Sequence, residues 1–244
     1  KYSWPSYICA STGKNVKKRI MKCVELIGSC LVLSLSFQST DEEVLKNINR
    51  ENIRSSYFWD VQQQFKELGI TSSSELILPL PGETLKSHLE GLRTVMSCGI
   101  DTICPYTTML LPGSPLYEED IFDKFQMIKK YRVVPRDFGK YEGKNIVEVE
   151  QVCVGTRDLS FDDYLYLRGF HFIISCYYNA ETFKELIHYL RSFGIEAYDF
   201  CYTLLSDINN APDSVKMVFE NFLTDTREEL WDSEEDICKY YQED

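Results

Sequence analysis

Short apolar runs and amphipathic runs take turns from Tyr7 to about Tyr106, and this alternation constrains the fold more than any other feature. Tyr7–Ala10, Cys30–Ser36, Glu75–Leu78 and Thr102–Tyr106 read as strands. Between them, apolar residues recur at helical spacing. Val16, Ile20, Val24 and Ile27 mark one stripe, stopped by Gly28. Thr40-Asp-Glu-Glu43 has capping-box form ahead of Val44, Leu45 and Ile48. Phe58, Val61, Phe65 and Leu68 make a third stripe, and Leu85, Leu89, Leu92 and Met96 a fourth. Strands alternating with helices of this length imply parallel βαβ units. Strands buried on both faces explain the continuous apolar runs. The expectation is an α/β fold: one parallel sheet from strands near 7–10, 30–36, 75–78 and 102–106, its outer face covered by helices over 14–27, 41–49, 57–68 and 84–97.

After Pro115 the pattern changes. Phe122–Tyr131 reads as helical. Val133–Val154 contains Pro135, Gly139 and Gly143 and an alternating Ile146/Val147/Val149 segment, so it reads as loop with one strand or hairpin. Ser160-Phe-Asp-Asp163 is a second capping box. Helices are expected over 161–178, 180–193, 213–223 and 226–241. Phe183, Leu186, Ile187 and Leu190 should pack inward, as should Val215, Val218, Phe219 and Phe222. The chain then divides into residues 1–115, a connecting segment 116–155, and a mainly helical subdomain 156–244.

The 244 residues are 44% apolar, enough for a sizeable core. The formal net charge is −12, and Asp225–Asp244 carries nine acids against two bases. That balance argues against nucleic-acid binding through the surface at large. The acidic run Asp232/Glu234/Glu235/Asp236 reads as a solvated face. Nine cysteines, none at CxxC spacing, read as reduced thiols of a cytoplasmic protein. No stretch is long and apolar enough to be expected to span a membrane. His88, His171 and His188 are too scattered for a metal site, and the sequence holds no P-loop or GxGxxG. The first residue is Lys, and the chain opens in mid-pattern, so it is expected to be a fragment.

Three polar residues, Gln38, Arg50 and Glu75, sit at or beyond the ends of apolar runs. In parallel α/β folds that edge binds ligands. An amide, a guanidinium and a carboxylate suit a zwitterionic, nucleoside-like molecule. Ser36 and Tyr106 are further candidates at the same edge. Thr12-Gly-Lys-Asn15, Ser36-Phe-Gln-Ser39, Val44-Leu45 with Asn49-Arg50, Leu80-Pro-Gly-Glu-Thr84 and Leu111-Pro-Gly-Ser-Pro115 follow one another. In this order they resemble the second half of a radical SAM domain, in the subgroup of cobalamin-binding and coproporphyrinogen-oxidase-like proteins.

The resemblance implies a partial (β/α) TIM-like barrel completed by a missing N-terminal part of the same protein. It also implies S-adenosylmethionine as ligand, with Arg50 on the methionine carboxylate, Glu75 on the ribose and Gln38 on either portion. The parent would hold a [4Fe–4S] cluster, and overall likeness extends the expectation to cobalamin. The CxxxCxxC loop of the family is absent from these residues, so the cluster ligands are expected outside this chain and the chain alone is expected to be inactive. Pro79 stands where the family usually has Gly, which removes a backbone donor near the expected adenine. A non-catalytic half-barrel scaffold is the rival reading, and an ordinary barrel hydrolase ranks last. The sequence names no substrate, small molecule or peptide.

Overall fold

The computed structural model describes residues 5–6, 8–10, 18–27, 30–34, 36–50 and 62–242. The four expected strands are β1 (Ile8–Ala10), β2 (Leu31–Ser34), β3 (Ser72–Leu78) and β4 (Thr102–Thr107), and they form one sheet in the order β1-β2-β3-β4. The β1/β2 and β2/β3 pairings are parallel. The α/β class with a parallel sheet therefore stands. β3 begins three residues earlier than expected, because Ser72 and Ser74 are buried polar residues that broke the apolar run. Ser72 is satisfied by Asp101, whose Oδ2 accepts from both its N–H and its Oγ at 2.8 Å.

Helices α1 (Lys18–Ile27), α2 (Glu42–Asn47), α3 (described over 62–67) and α4 (Leu85–Ser97) follow the expected stripes. The expected helical residues 14–17 and 57–61 lie outside the described residues. Asp41, not Thr40, caps α2: its Oδ1 accepts from the Glu43 and Val44 amides at 2.9 and 3.1 Å.

The segment read as helix over 122–131 is a correction. Helix α5 (Glu119–Phe125) ends at Gln126 in the left-handed region, and strand β5 (Ile128–Tyr141) begins two residues later. With β6 (Lys144–Gly155) it forms a long antiparallel hairpin, not a loop. Glu142 and Gly143 both have positive φ, 50° and 81°, the backbone that a two-residue hairpin turn requires. Pro135 is tolerated because it falls in an irregularity of the ladder between Val133 and Phe138.

Helix α6 (Phe161–Ile174) opens on the expected capping box, with Ser160 Oγ and Asp163 bonding each other's amides, and runs on as a π-helical turn, Ser175–Asn179. Then come α7 (Lys184–Arg191), α8 (Ala197–Ser206), α9 (Asp213–Glu228) and α10 (Glu234–Gln242). Helix α8 was not expected from the sequence. The single helix expected over 226–241 is broken at Trp231, which exchanges backbone hydrogen bonds of 2.8 and 2.9 Å with Tyr131 of β5. Of the two inward stripes, Ile187 and Phe219 are buried, but Leu186 and Val218 are exposed.

The residues group into two compact units. The first takes Lys1–Leu76, Lys86–Tyr106 and Ile173–Thr203. Its core includes Val44, Phe65, Leu92, Val95, Met96, Ile100 and Ile103. Within it the Asn179 side chain grips β4 twice: Oδ1 accepts from the Ile103 amide at 3.0 Å, and Nδ2 donates to the Ile103 carbonyl at 2.7 Å. The second takes Ile77–Leu85, Thr107–Phe172 and Leu204–Asp244. There Leu110, Phe125, Met127 and Cys153 pack together. Gly169 of α6 lets α9 approach closely, since a Cβ there would lie 2.8 Å from Phe219 Cζ.

Candidate functional site

The chain leaves β2 at Ser34 and returns to the sheet at Gln38, which bridges to Leu76 of β3 in parallel sense. The Gln38 amide donates to the Glu75 carbonyl at 2.9 Å. Two residues earlier, Ser36 Oγ donates to Glu75 Oε2 at 2.7 Å. Ser36, just beyond β2, and Glu75, in the middle of β3 and not at its end as expected, are thus hydrogen-bonded side chains 39 positions apart. Gln38 reaches this place with φ of 64°, in the left-handed region that a side-chain-bearing residue seldom adopts.

Strand alternation decides what else faces Glu75. In β3 the residues alternate between buried and half-buried, with Ser73 and Glu75 on the less buried side. In β4, Thr102, Cys104 and Tyr106 make up the corresponding side, and Tyr106 is 54% exposed. Cys104 and Tyr106 are neighbours on that side, two residues apart along the strand. Burial pushes the Cys104 thiol above its ordinary value, and the negative charge of Glu75 adds to the rise. Burial, the neighbouring Cys104 and Glu75 do the same to the Tyr106 phenol. Both groups therefore hold their protons at neutral pH, and both donate where a ligand offers an acceptor. Cys104 was missed in the sequence. The signal was its position two residues before Tyr106 on a strand, which puts both on one face.

Arg50 is exposed and follows α2, its amide donating to the Leu45 carbonyl at 2.8 Å. Among the described residues no ion pair joins it to Glu75. The structure thus brings Ser36, Glu75, Cys104 and Tyr106 near one another, with the Gln38 backbone beside Glu75; among the described residues Arg50 is held through its backbone amide.

Glu83 of the Leu80-Pro-Gly-Glu-Thr84 turn is structural. Its Oε2 accepts from the Leu80 amide at 3.0 Å, its amide donates back to the Leu80 carbonyl at 3.0 Å, and it is buried. Tyr164, buried in the second unit, shares a 3.0 Å hydrogen bond with Thr107. Among the described residues no three His, Cys, Asp or Glu side chains are grouped to hold a metal, and every described cysteine side chain is a free thiol. These residues do not fit an iron–sulfur cluster, which needs several thiolates in a fixed arrangement. The hydroxyl, carboxylate and phenol of Ser36, Glu75 and Tyr106 do fit a polar nucleoside-like ligand. Among the described residues no helix is long and apolar enough to cross a membrane.

No family model matches the chain. Over 219 residues it is 28% identical to a 2-(S-pantetheinyl)-carbapenam-3-carboxylate methyltransferase of Streptantibioticus cattleyicolor, covering 86% of this chain and 32% of that protein. Over 104 residues it is 33% identical to the cobalamin-dependent radical SAM methyltransferase TokK of Streptomyces tokunonensis, covering 42% of this chain and 15% of that protein. A tRNA-2-methylthio-N(6)-dimethylallyladenosine synthase of Clostridium botulinum is 32% identical over 103 residues, 41% of this chain and 22% of that one. The chain thus spans a third or less of the length of these relatives. Among solved structures, the coproporphyrinogen III oxidase HemN of Escherichia coli, described as a radical SAM enzyme, aligns with a TM-score of 0.40 at 20% identity. That alignment covers 48% of this chain and 30% of the other.

Proposed function

The chain belongs with the radical SAM proteins, and from that premise we propose that it supplies one wall of an S-adenosylmethionine site in a cobalamin-dependent enzyme, as part of an incomplete barrel. The observation that carries this reading is the 2.7 Å hydrogen bond between Ser36 and Glu75 beside the Gln38 return to the sheet. Ser36 holds one oxygen of the Glu75 carboxylate and so fixes its plane. The other oxygen accepts from a ribose hydroxyl of the ligand. Gln38 bonds the ligand from the same edge. Tyr106 donates its phenol hydrogen, and Cys104 lies beside it as a neutral thiol. Arg50, exposed beyond α2, forks onto the methionine carboxylate.

S-adenosylmethionine, when bound, supplies the radical or the methyl group. The residues of this chain bind and orient it, and none of them is assigned to the cluster or to cobalamin. Likeness to the methyltransferases supports methyl transfer as the reaction class of the parent protein.

The test is equilibrium binding of S-adenosylmethionine to the protein that carries this chain. Glu75→Gln and Arg50→Ala should each weaken it by about 1.5–3 kcal/mol, the range for hydrogen bonds to charged groups. Iron content should stay unchanged. Unaltered affinity in Glu75→Gln would remove the site from this edge. Unaltered affinity in Arg50→Ala alone would remove only Arg50 from it.

A further inference from the structure

A second concave surface lies where β3 and β4 begin, at the opposite end of these strands from Gln38 and Tyr106. It is a hollow of about 90 Å³, open to solvent, between the end of α3, the residues Gly99–Asp101 ahead of β4, the π-helical turn and α7. Three permanent cations line it, Lys66, Lys184 and Arg191, with His188 beside them and two carboxylates, Asp101 and Glu181. Both carboxylates are engaged. Asp101 accepts from Ser72, and Glu181 accepts from Lys184 at 3.3 Å.

Lys66 lacks such a partner, and Arg191 has only a loose one. The Lys66 ammonium lies across Gly99, 2.6 Å from where a Cβ would stand, and forms no ion pair with a described residue. Arg191 is ion-paired with Glu196, but its buried Nε lies 3.7 Å from Glu196 Oε2, beyond hydrogen-bond reach. A buried guanidinium N–H with no acceptor carries a desolvation cost that a ligand oxygen would remove. A cation-lined hollow in a chain of net charge −12 also runs against the overall field, so the charge is placed locally.

We propose that this hollow binds a small phosphate, as inorganic phosphate or a phosphate monoester, with Lys66 and Arg191 as its charged partners and Lys184 as a third. A lone carboxylate is satisfied by one arginine fork. Cations on two separate elements, α3 and α7, suit an oxyanion with acceptor oxygens on several sides. The site sits at the strand ends where barrel folds do not run chemistry, and it does not depend on the S-adenosylmethionine reading.

The experiment is calorimetric titration of inorganic phosphate into the whole chain, at fixed ionic strength with chloride as the control anion. Saturable phosphate binding is expected. Lys66→Met and Arg191→Met should each raise Kd about tenfold or more, and Glu181→Gln should lower it. Lys66 is exposed, so its variant keeps the fold and decides the matter even where Arg191→Met does not fold. Absence of saturable binding overturns the proposal, as does an unchanged Kd in Lys66→Met. Glu75→Gln should leave phosphate affinity as it is, and a loss there would put the phosphate at the other strand ends and overturn the assignment.

Discussion

At the scale of single residues, Gln38 carries two separable properties. Its backbone sits at φ 64°, and its side chain is the one proposed to bond the ligand. A left-handed backbone costs a side-chain-bearing residue roughly 1–2 kcal/mol, and glycine little. Gln38→Gly should therefore keep or raise stability in urea denaturation while weakening S-adenosylmethionine binding. Gln38→Val should lower stability by about 1–2 kcal/mol relative to Gln38→Gly. Equal stabilities for the two would show that the backbone there is not strained. Gln38 and Glu75 were legible as neighbours because parallel crossover topology returns consecutive strands to the same edge. The 2.7 Å Ser36 contact was not legible, since a hydroxyl's partner depends on register and not on residue type.

At the scale of elements, the sequence was most readable where helical stripes were long and least readable in the hairpin. The β5/β6 ladder alternates from Ile146 to Val149, but Lys129-Lys130 in β5 and the Pro135 irregularity hide the strand on its partner. Arg132 explains why so polar a strand is stable. Its Nε donates to Glu150 on the paired strand at 2.7 Å, with both side chains about 15% exposed, and its Nη1 reaches Glu229 at 3.2 Å. Arg132→Ala leaves Glu150 without its cation and should cost about 3 kcal/mol, read as a lowered urea midpoint. Helix α8 was missed although Ala197, Tyr198 and Cys201 are buried at helical spacing, because the preceding Gly194 reads equally well as the start of a loop. The α6–α9 approach gives a further test. Gly169→Ala drives a methyl against Phe219 Cζ and should destabilise by about 1–3 kcal/mol. A neutral result would mean that the Phe219 ring yields freely.

At the scale of the whole molecule, buried thiols set the response to alkali. Burial raises Cys153 from 9.0 to about 11 and Cys201 from 9.0 to about 12. A folded-state value above the unfolded one means that the unfolded chain loses its proton first. The contribution to stability is complete below about pH 9 and is lost as pH rises towards the folded values. Each thiol adds a slope of up to about 1.4 kcal/mol per pH unit in that window. Denaturant midpoints at pH 8, 9 and 10 should fall, and Cys153→Ala should flatten the fall. A midpoint that is level from pH 8 to 10 would contradict the burial of these thiols.

Asn179 has a consequence for how copies of this chain meet. Among the described residues β4 is the last strand of its sheet, and a terminal strand normally presents bare amides and carbonyls on which another chain can template itself. By occupying both backbone groups of Ile103, the Asn179 amide acts as a one-residue stopper against such growth. Asn179→Ala should shorten the lag before fibrillar aggregation on gentle heating, followed by light scattering. An unchanged lag would show that this edge is guarded by something else.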